Sequence, residues 1–500
     1  ASFYLYLVEN FDYWNKRKIV GPIPRILYGN LPSFWTCKNH LFYEYDQIYK
    51  AYKQHPVVGL FLSKTPQILI IDPELIKQIL IRNFKNFQNN FISTIVDRKK
   101  DTLLGLNPFV IPAYGNDQWK TVRSEITPGF TVAKIRTLLY PYTDTVCDKM
   151  LKFIECKLDQ GKSIDTESLC ARYTADVITN TVYGIDAGSF DSENPEILTN
   201  GQQVFPNSVT FYLYVAITHL FPIIKSFTLK SLVSPKIDRF FQNLMKVSVE
   251  LRQNSGIQRN DYLSFLMKLQ NNKASADYTS ISGHAYSIVA DGFETSSLAM
   301  SFVLYEVANN TRVQDKLRAE IFQAIQSNNE ITFEIISELP YLDSVVNESL
   351  RLHPTLSFMA KVCTEPTTLT SSDGTEIHFD KDLVAIIPLN SLHHDERHYK
   401  NPNEFYPERF QSDHEDGGGK IYREKGVFLP FSDGPRMCLG MRVAITQIKR
   451  GIFEIIRHYQ INLDRTKTKS PIEYQRYGFL VIAPKGGIWL NLKKITNEFH

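Results

Sequence analysis

Phe431-Ser432-Asp433-Gly434-Pro435-Arg436-Met437-Cys438-Leu439-Gly440 is the stretch on which the fold is decided. It sets one cysteine between apolar neighbours, Met437 and Leu439, with an arginine two residues earlier and glycines at 434 and 440. A thiolate that binds haem iron must be deprotonated, sheltered from water and supplied with backbone N–H donors that tune its charge. Glycine lacks the Cβ that would hold a backbone away from a flat macrocycle. Arg436 brings a permanent cation whose fork matches a propionate carboxylate. A helical run over 441–459 starts just after the sulfur, so a positive helix end lies beside a negative atom. An inert buried cysteine in a glycine-rich turn would account for Cys438 and leave the rest of the arrangement unexplained.

Upstream lie further charged motifs. Glu348 and Arg351, three apart in Glu348-Ser349-Leu350-Arg351, share one helix face and can pair. That spacing is weak by itself, because any charged helix can carry it. Pro407-Glu408-Arg409-Phe410 follows, and Trp119 and Arg123 are spaced one helical turn apart nearer the start. The run 287–303 (SIVADGFETSSLAMSFV) is long and mostly apolar, so it is expected to be a buried helix. Asp291 and Glu294 argue against a simple transmembrane span. Gly292 and the hydroxyls of Thr295 and Ser296 can open such a helix locally and admit water.

Taken in order, these segments resemble the cytochrome P450 family along almost the whole chain. Residues 431–440 match F-x-x-G-x-R-x-C-x-G at every fixed position, 348–351 match E-x-x-R and 407–410 match P-E-R-F. The resemblance implies a mainly α fold with a smaller β portion, an α-helical haem domain joined to a β-rich subdomain. It implies haem b as cofactor, with Cys438 as the axial ligand. Phe431, Arg436 and Gly440 would border the haem, and Trp119 and Arg123 would reach its propionates. Glu348, Arg351 and Arg409 would form a structural ion triad that keeps the cysteine loop in register. Thr295 would hydrogen-bond dioxygen and Glu294 would help relay protons.

Two positions depart from the family pattern. Asp291 stands where a small residue is usual, directly over the porphyrin. A fatty-acid-hydroxylating branch has Glu there, esterified to a haem methyl. Asp291 could form such an ester or order water above the haem; its shorter side chain favours a carboxylate hydrogen-bonded within the cavity. Lys361 replaces an arginine that contacts a propionate in many relatives, and lysine serves as a point charge but cannot fork.

The implied reaction inserts one atom of dioxygen into a lipophilic substrate, whether a xenobiotic, a hormone or a lipid. No flavin or dinucleotide fingerprint occurs, so electrons must come from another protein. NADPH–cytochrome P450 reductase is the expected donor and cytochrome b5 a second one. Lys449 and Arg450 are expected to join Lys120 and Lys134 in a basic docking face. A haem-thiolate isomerase or peroxygenase would need no reductase, but the intact Glu294-Thr295 pair argues for dioxygen activation. A non-catalytic haem sensor would need the cysteine and not the relay. The family alignment suggests a cavity lined by 96–114, 205–214, 288–295, 355–359 and 477–479, made greasy by Phe109, Val110, Ile111, Leu356, Phe358 and Phe479. Arg98, Lys99 and Lys100 could steer anionic substrates, although a solvated charge run is the plainer expectation.

Bulk properties agree. Five hundred residues with 43% apolar and 12% aromatic content can bury a large core, and a net charge of +3 is too small to suggest nucleic acid as a partner. Six cysteines, with no C-x-x-C, leave no zinc ribbon or dithiol motif, and buried free thiols in a reducing cytosol are expected. Neither Gly419-Lys420 nor Gly161-Lys162-Ser163 completes a P-loop, and His393, His394 and His398 fall in a turn-rich stretch that reads as a hydrogen-bonded loop. Asn309 and Asn347 head chance sequons.

The chain starts with Ala, and residues 3–8 (FYLYLV) precede a basic cluster at 16–18 and Gly21-Pro22-Ile23-Pro24. These residues fit either the flank of a membrane anchor or an exposed helix. The lead-in Phe11-Asp12-Tyr13-Trp14 and the run 292–297 (GFETSS) are most similar to insect microsomal members. That likeness implies residues 1–24 as an anchor remnant and hinge, 25–500 as the catalytic domain, and the cytosolic face of the endoplasmic reticulum membrane as the location.

Helices are expected at 41–52, 73–81, 119–127, 134–158, 166–183, 235–252, 261–271, 283–310, 312–327 and 342–352. Strands are expected at 57–62, 67–71, 383–388, 479–483 and 488–492, with a polar loop at 414–425. Strands near both chain ends and helices between predict one helical body with a β portion built from the two ends.

Overall fold

The apolar 287–303 run grows into the spine of the molecule. In the computed structural model the helix that carries it spans Thr279–Asn309 and is buried on nearly every face in its second half, as a helix apolar all round must be. The structure describes every residue except 1, 116, 205–208, 222–230, 257, 272–277, 416, 477–480 and 496–500.

In chain order the helices that shape the site are α1 (Leu41–Tyr52), α2 (Gln118–Ile126), α3 (Tyr140–Asp159), α4 (Thr166–Val182), α5 (Pro235–Ser255), the spine α6 (Thr279–Asn309), α7 (Thr311–Ser327), α8 (Pro340–Leu352) and α9 (Met441–His458). α4 lies along α6, where Thr174 Oγ1 donates to Phe293 O at 3.2 Å and Thr166 meets Ser301. Side-chain caps start several of these helices: Asp165 accepts from Glu167 N and Asn310 from Val313 N. The expected single helix over 134–158 is two, Val132–Leu138 and α3. Pro141 in the first turn of α3 has no N–H to give and its ring crowds the preceding turn, so the chain breaks at Leu139. The run at 73–81 is also divided, into Pro73–Lys77 and a wider π-type turn Gln78–Arg82. Inside the expected 414–425 loop a short helix forms at Gly418–Glu424.

The β portion joins both halves of the chain. β1 (Val57–Leu62), β2 (Thr65–Ile70), β3 (Asn89–Asn90), β5 (Met359–Val362) and β8 (Val384–Ile387) form one sheet in the order β1-β2-β8-β5-β3. β2 and β8 run parallel and the other pairs antiparallel. β4 (Ile164–Asp165), β9 (Tyr459–Leu463) and β10 (Trp489–Lys494) form a second sheet, and β6 (Thr367–Thr370) with β7 (Glu376–Phe379) a hairpin. The expected strand at 479–483 lies partly outside the described residues; Val481 bridges Leu356.

Near the start, Trp14 is buried against the sheet. Its Nε1 donates to Leu60 O at 3.0 Å, and a Cβ at Gly59 would come within 2.3 Å of its ring. Ser2–Val8 is helical and leaves Phe3, Tyr4 and Leu5 exposed. Tyr6 donates to Leu220 O at 2.6 Å and stacks on Phe221. Among the described residues no helix is long and apolar enough to cross a membrane.

Two carboxylates tie the 97–106 segment to the entry of α5. Asp101, buried, accepts from Ser231 Oγ at 2.6 Å, Val233 N at 2.9 Å and Leu232 N at 3.1 Å. Asp238 Oδ1 returns the contact by accepting from Leu103 N at 3.2 Å. Asp101→Ala would strand these donors, each at roughly 1–3 kcal/mol. The variant is expected to unfold at a clearly lower urea concentration than the parent; an unchanged midpoint would contradict this account of the tie.

Candidate functional site

Cys438 sits between a 3-10 turn, Gly434–Arg436, and the first residue of α9. Its N–H donates to Phe431 O at 2.8 Å, Met437 N to Gly434 O at 3.0 Å, and the Asp433 carboxylate accepts from Gly434 N at 2.6 Å. Gly434 takes φ +71°, and a Cβ there would lie 2.0 Å from Leu80 O. The loop's rest on the turn at Gln78–Arg82 is therefore by itself enough to require glycine there. Gly440 has an ordinary φ of −81° and no protein atom within 4 Å of a built Cβ, so it borders open space.

The Cys438 side chain is exposed by surface, yet protein surrounds it on every side. Both hold because it opens into an interior space. Burial pushes the thiol up to about 11, against the backbone N–H donors of Gly440 and Met441, which favour the thiolate. Asp291 adds to the rise and Arg123 opposes it. Those donors lose to desolvation, so a persistent thiolate here needs a metal cation at the sulfur.

One wall of the space holds cations without anions. The Arg436 guanidinium donates to Gln88 O at 2.9 Å, Pro108 O at 2.7 Å and Ile111 O at 2.7 Å, and lies 4.6 Å over the Trp119 ring. Lys361 Nζ donates to Asn90 Oδ1 at 2.7 Å, and Arg123 Nη2 to Met437 O at 2.7 Å. Burial first, and then Arg123, pulls Arg436 down to about 9; burial, and then Arg436, pulls Lys361 down to about 7. Trp119 Nε1 is buried with no acceptor. Among the described residues no carboxylate pairs with Arg123, Lys361 or Arg436. Like charges drawn inside together with a bare donor call for an anionic partner.

The opposite wall is α6. Thr295 Oγ1 donates to Asp291 O at 2.5 Å, the back-bond to the preceding turn that a helical threonine can make. The Asp291 side chain is exposed to the same enclosed space, and both its oxygens accept from Asn107 Nδ2, at 3.0 Å each. Burial raises Asp291 to about 7 against that bond, and raises Glu294 to about 7 as well.

Behind the cysteine loop stands the ion triad. Glu348 accepts from Arg351 Nε and Nη2, at 2.8 Å each, and from Arg409 Nε at 2.9 Å, all three side chains being almost fully buried. Arg351 Nη1 also donates to His393 O and Pro402 O at 2.7 Å, and the His393 ring accepts from Leu429 N at 3.0 Å. From Glu348 the chain of contacts thus runs to a residue two before Phe431.

The sequence model of the family described as Cytochrome P450 matches residues 20–490. Probable cytochrome P450 28a5 of Drosophila melanogaster is 35% identical over 500 residues, 98% of this chain and 97% of that one. Probable cytochrome P450 28d1 of the same fly is 36% identical, with 98% and 96% covered. Cytochrome P450 6j1 of Blattella germanica is 29% identical, with 99% and 96% covered. The chain belongs to the cytochrome P450 family.

Membership makes the P450 a haem-thiolate monooxygenase by class, and the space fits that cofactor. A buried thiol in need of a metal lies on one side, a buried cationic corner suited to carboxylates on another, and a carboxyl-bearing helix opposite. Arg123, Arg436, Lys361 and Trp119, expected near the haem edge, are brought into one corner. Asn107 and Asn90 were not foreseen. Asn107-Pro108 reads as a turn signal, but nothing local says which carboxylate or lysine an asparagine will meet.

Other expectations change in this P450. Lys449 and Arg450 are buried, not part of a docking face: Lys449 Nζ pairs with Asp343 at 2.7 Å and Arg450 with Asp144 at 2.8 Å, and with Glu454. Arg98 is turned onto protein, donating to Gly105 O at 3.0 Å and Gln118 Oε1 at 2.5 Å. Cys156 is exposed, unlike the buried Cys37, Cys147, Cys170 and Cys363. Of the expected cavity lining, Val110, Ile111 and Phe358 are buried and Phe109 and Leu356 half-buried, while 205–208 and 477–480, with Phe479, lie outside the described residues.

Arg351→Leu would leave the Glu348 carboxylate and three backbone carbonyls, those of His393, Pro402 and Glu404, short of their donor, a loss of about 3–5 kcal/mol for a broken buried pair. The expected outcome is protein that does not retain haem. A normal thiolate-type spectrum of the reduced carbon monoxide complex in that variant would remove the triad from its role.

Proposed function

We propose that this P450 inserts one atom of dioxygen into lipophilic organic molecules, with electrons drawn from NADPH through a separate reductase. The observation that carries the reading is the shared interior space, with Cys438 on one side and Asp291 and Thr295 of α6 on the other. Bound haem b supplies the dioxygen activation and oxygen-atom transfer. Cys438 is its ligand, steadied by the N–H groups of Gly440 and Met441. Arg436, Arg123, Lys361 and Trp119 hold the propionate edge, and Phe431 and Gly440 border the sulfur.

The Thr295 hydroxyl gives its proton to Asp291 O and keeps its lone pairs free toward the space. Glu294, raised to about 7 by burial, can hold a proton on its carboxyl near neutral pH and release it, which suits a relay. Asp291 stays a free carboxyl clamped by Asn107, and does not form an ester with a haem methyl. Ile288, half-buried on the face of α6 that carries Asp291 and Thr295, supports a greasy substrate.

The membrane reading, on the cytosolic face of the endoplasmic reticulum with residues 1–24 turned toward the bilayer, rests on exposed apolar side chains. Phe3 and Leu5 are exposed beside the helix Val209–Leu220, which exposes Val209, Leu213 and Ile217. For docking NADPH–cytochrome P450 reductase, and cytochrome b5 as a second donor, Lys120 and Lys134 remain exposed, as does Arg442 just past Cys438.

Purified, haem-loaded enzyme is expected to show the long-wavelength carbon monoxide band of thiolate ligation and to turn over a lipophilic substrate only with both NADPH and reductase. Cys438→Ser should abolish the band; its survival would sink the assignment. Acid extraction with mass spectrometry should release unmodified haem.

A further inference from the structure

The feature this reading leaves over is the carboxyl of Asp291. It faces the interior space, while Ala290 and Phe293 beside it on the same helix are buried in the core. Among the described residues no lysine, arginine or histidine pairs with it. Among the described residues its one side-chain partner is Asn107, itself buried, whose Nδ2 sits 3.0 Å from each carboxylate oxygen. Asn107 is fixed in turn, because its Oδ1 accepts from Phe109 N at 2.7 Å. A carboxylate offers about four acceptor positions, and one amide nitrogen fills at most two of them. The acceptor is thus pre-positioned, partly used and without a counter-charge. A buried charge of that kind is costly until a cation or further donors meet it.

Resting on the monooxygenase reading, we propose that Asp291 is a cation subsite that selects substrates with an ammonium head on a lipophilic body, the class of protonated tertiary or quaternary amines. The neutral body would lie in the space that Asp291 faces, and the ammonium would take the acceptor positions that Asn107 leaves free. Removing an ammonium from water into an apolar cavity is unfavourable without a fixed opposite charge, so a neutral pocket would reject it. With Asp291 in place the sign reverses, because a charge-assisted contact in a water-poor site is stronger than a neutral one. Asn107 is a positioning residue here: it holds the acceptor still and touches neither substrate nor cofactor in this account.

The test uses holoenzyme and two probes of one shape, (3-phenylpropyl)trimethylammonium and its 4,4-dimethylpentylbenzene isostere, in which carbon replaces nitrogen. Neither can ligate iron, so competition against a neutral lipophile that shifts the haem spectrum reports cavity occupancy alone. The ammonium probe is expected to bind at least tenfold more tightly than its isostere. Asp291→Asn should bring that ratio close to one, and Asp291→Glu, which restores the charge, should recover most of it.

Equal binding of the two probes to the parent enzyme would overturn the proposal, as would a ratio that survives in Asp291→Asn. Haem extracted in covalent linkage to the chain would overturn it too, because the carboxylate would be consumed. In each of those cases an intact thiolate spectrum and reductase-dependent oxidation of a neutral substrate would leave the monooxygenase reading standing. Loss of that spectrum in the parent enzyme would instead strike the reading beneath.

Discussion

A single carboxylate, that of Glu348, holds the site together. It lies fully buried between two buried guanidinium groups, and a fourth hydrogen bond, donated by Tyr406 N to Oε1 at 3.0 Å, completes its solvation. Such a group is weak evidence of stability, since well-packed apolar side chains could serve as well. Its value is directional. Arg351 spends its remaining donors on the carbonyls of His393 and Pro402, and Arg409 on that of Lys400 at 3.0 Å. The end of the short helix Leu389–His393 and the stretch 400–406 are therefore pinned to the end of α8, and through the His393 ring that geometry reaches the segment leading into Cys438.

The space in front of the loop is lined by groups that burial has pushed toward neutrality. The Cys438 thiol and the Asp291 and Glu294 carboxyls are raised, while Arg436 and Lys361 are lowered. Desolvation is the leading cause for every one of them, so the protein by itself does not favour charge here. A cofactor with a cationic metal at its centre and carboxylates at its edge reverses the balance at each end at once: the thiolate meets the metal and the cations meet the propionates. Cofactor and site are in this sense electrostatic complements, and haem binding should couple strongly to order in the surrounding loops.

What the sequence made legible follows the range of each interaction. Glu348 with Arg351 is one helical turn and could be read locally. Arg409, 61 residues from its carboxylate, was legible only through the family resemblance. The buried helix over 287–303 declared itself by being apolar on all faces, and the strands by their β-branched and apolar content. Proline at 141 was a visible break that periodicity alone overran. Lys449 and Arg450 were misjudged because charge on a helix usually means solvent, whereas here their partners Asp343 and Asp144 come from distant helices. The glycine at 434 was rightly marked, and the carbonyl of Leu80 adds a constraint there that no local pattern predicts.

That same contact shows why the site resists reading by motif. The cysteine loop leans on Leu80; Arg436 from the loop bonds the carbonyls of Gln88, Pro108 and Ile111; and Pro108 follows the asparagine that clamps Asp291 on the far side of the space. One short stretch, 107–111, thus touches both walls, giving carbonyls to the cationic corner and an amide to the carboxyl on α6. A displacement that moved this stretch away from Arg436 would also move Asn107 away from Asp291. The distance between the two walls, and with it the height available to cofactor and substrate, is set by that stretch more directly than by either helix.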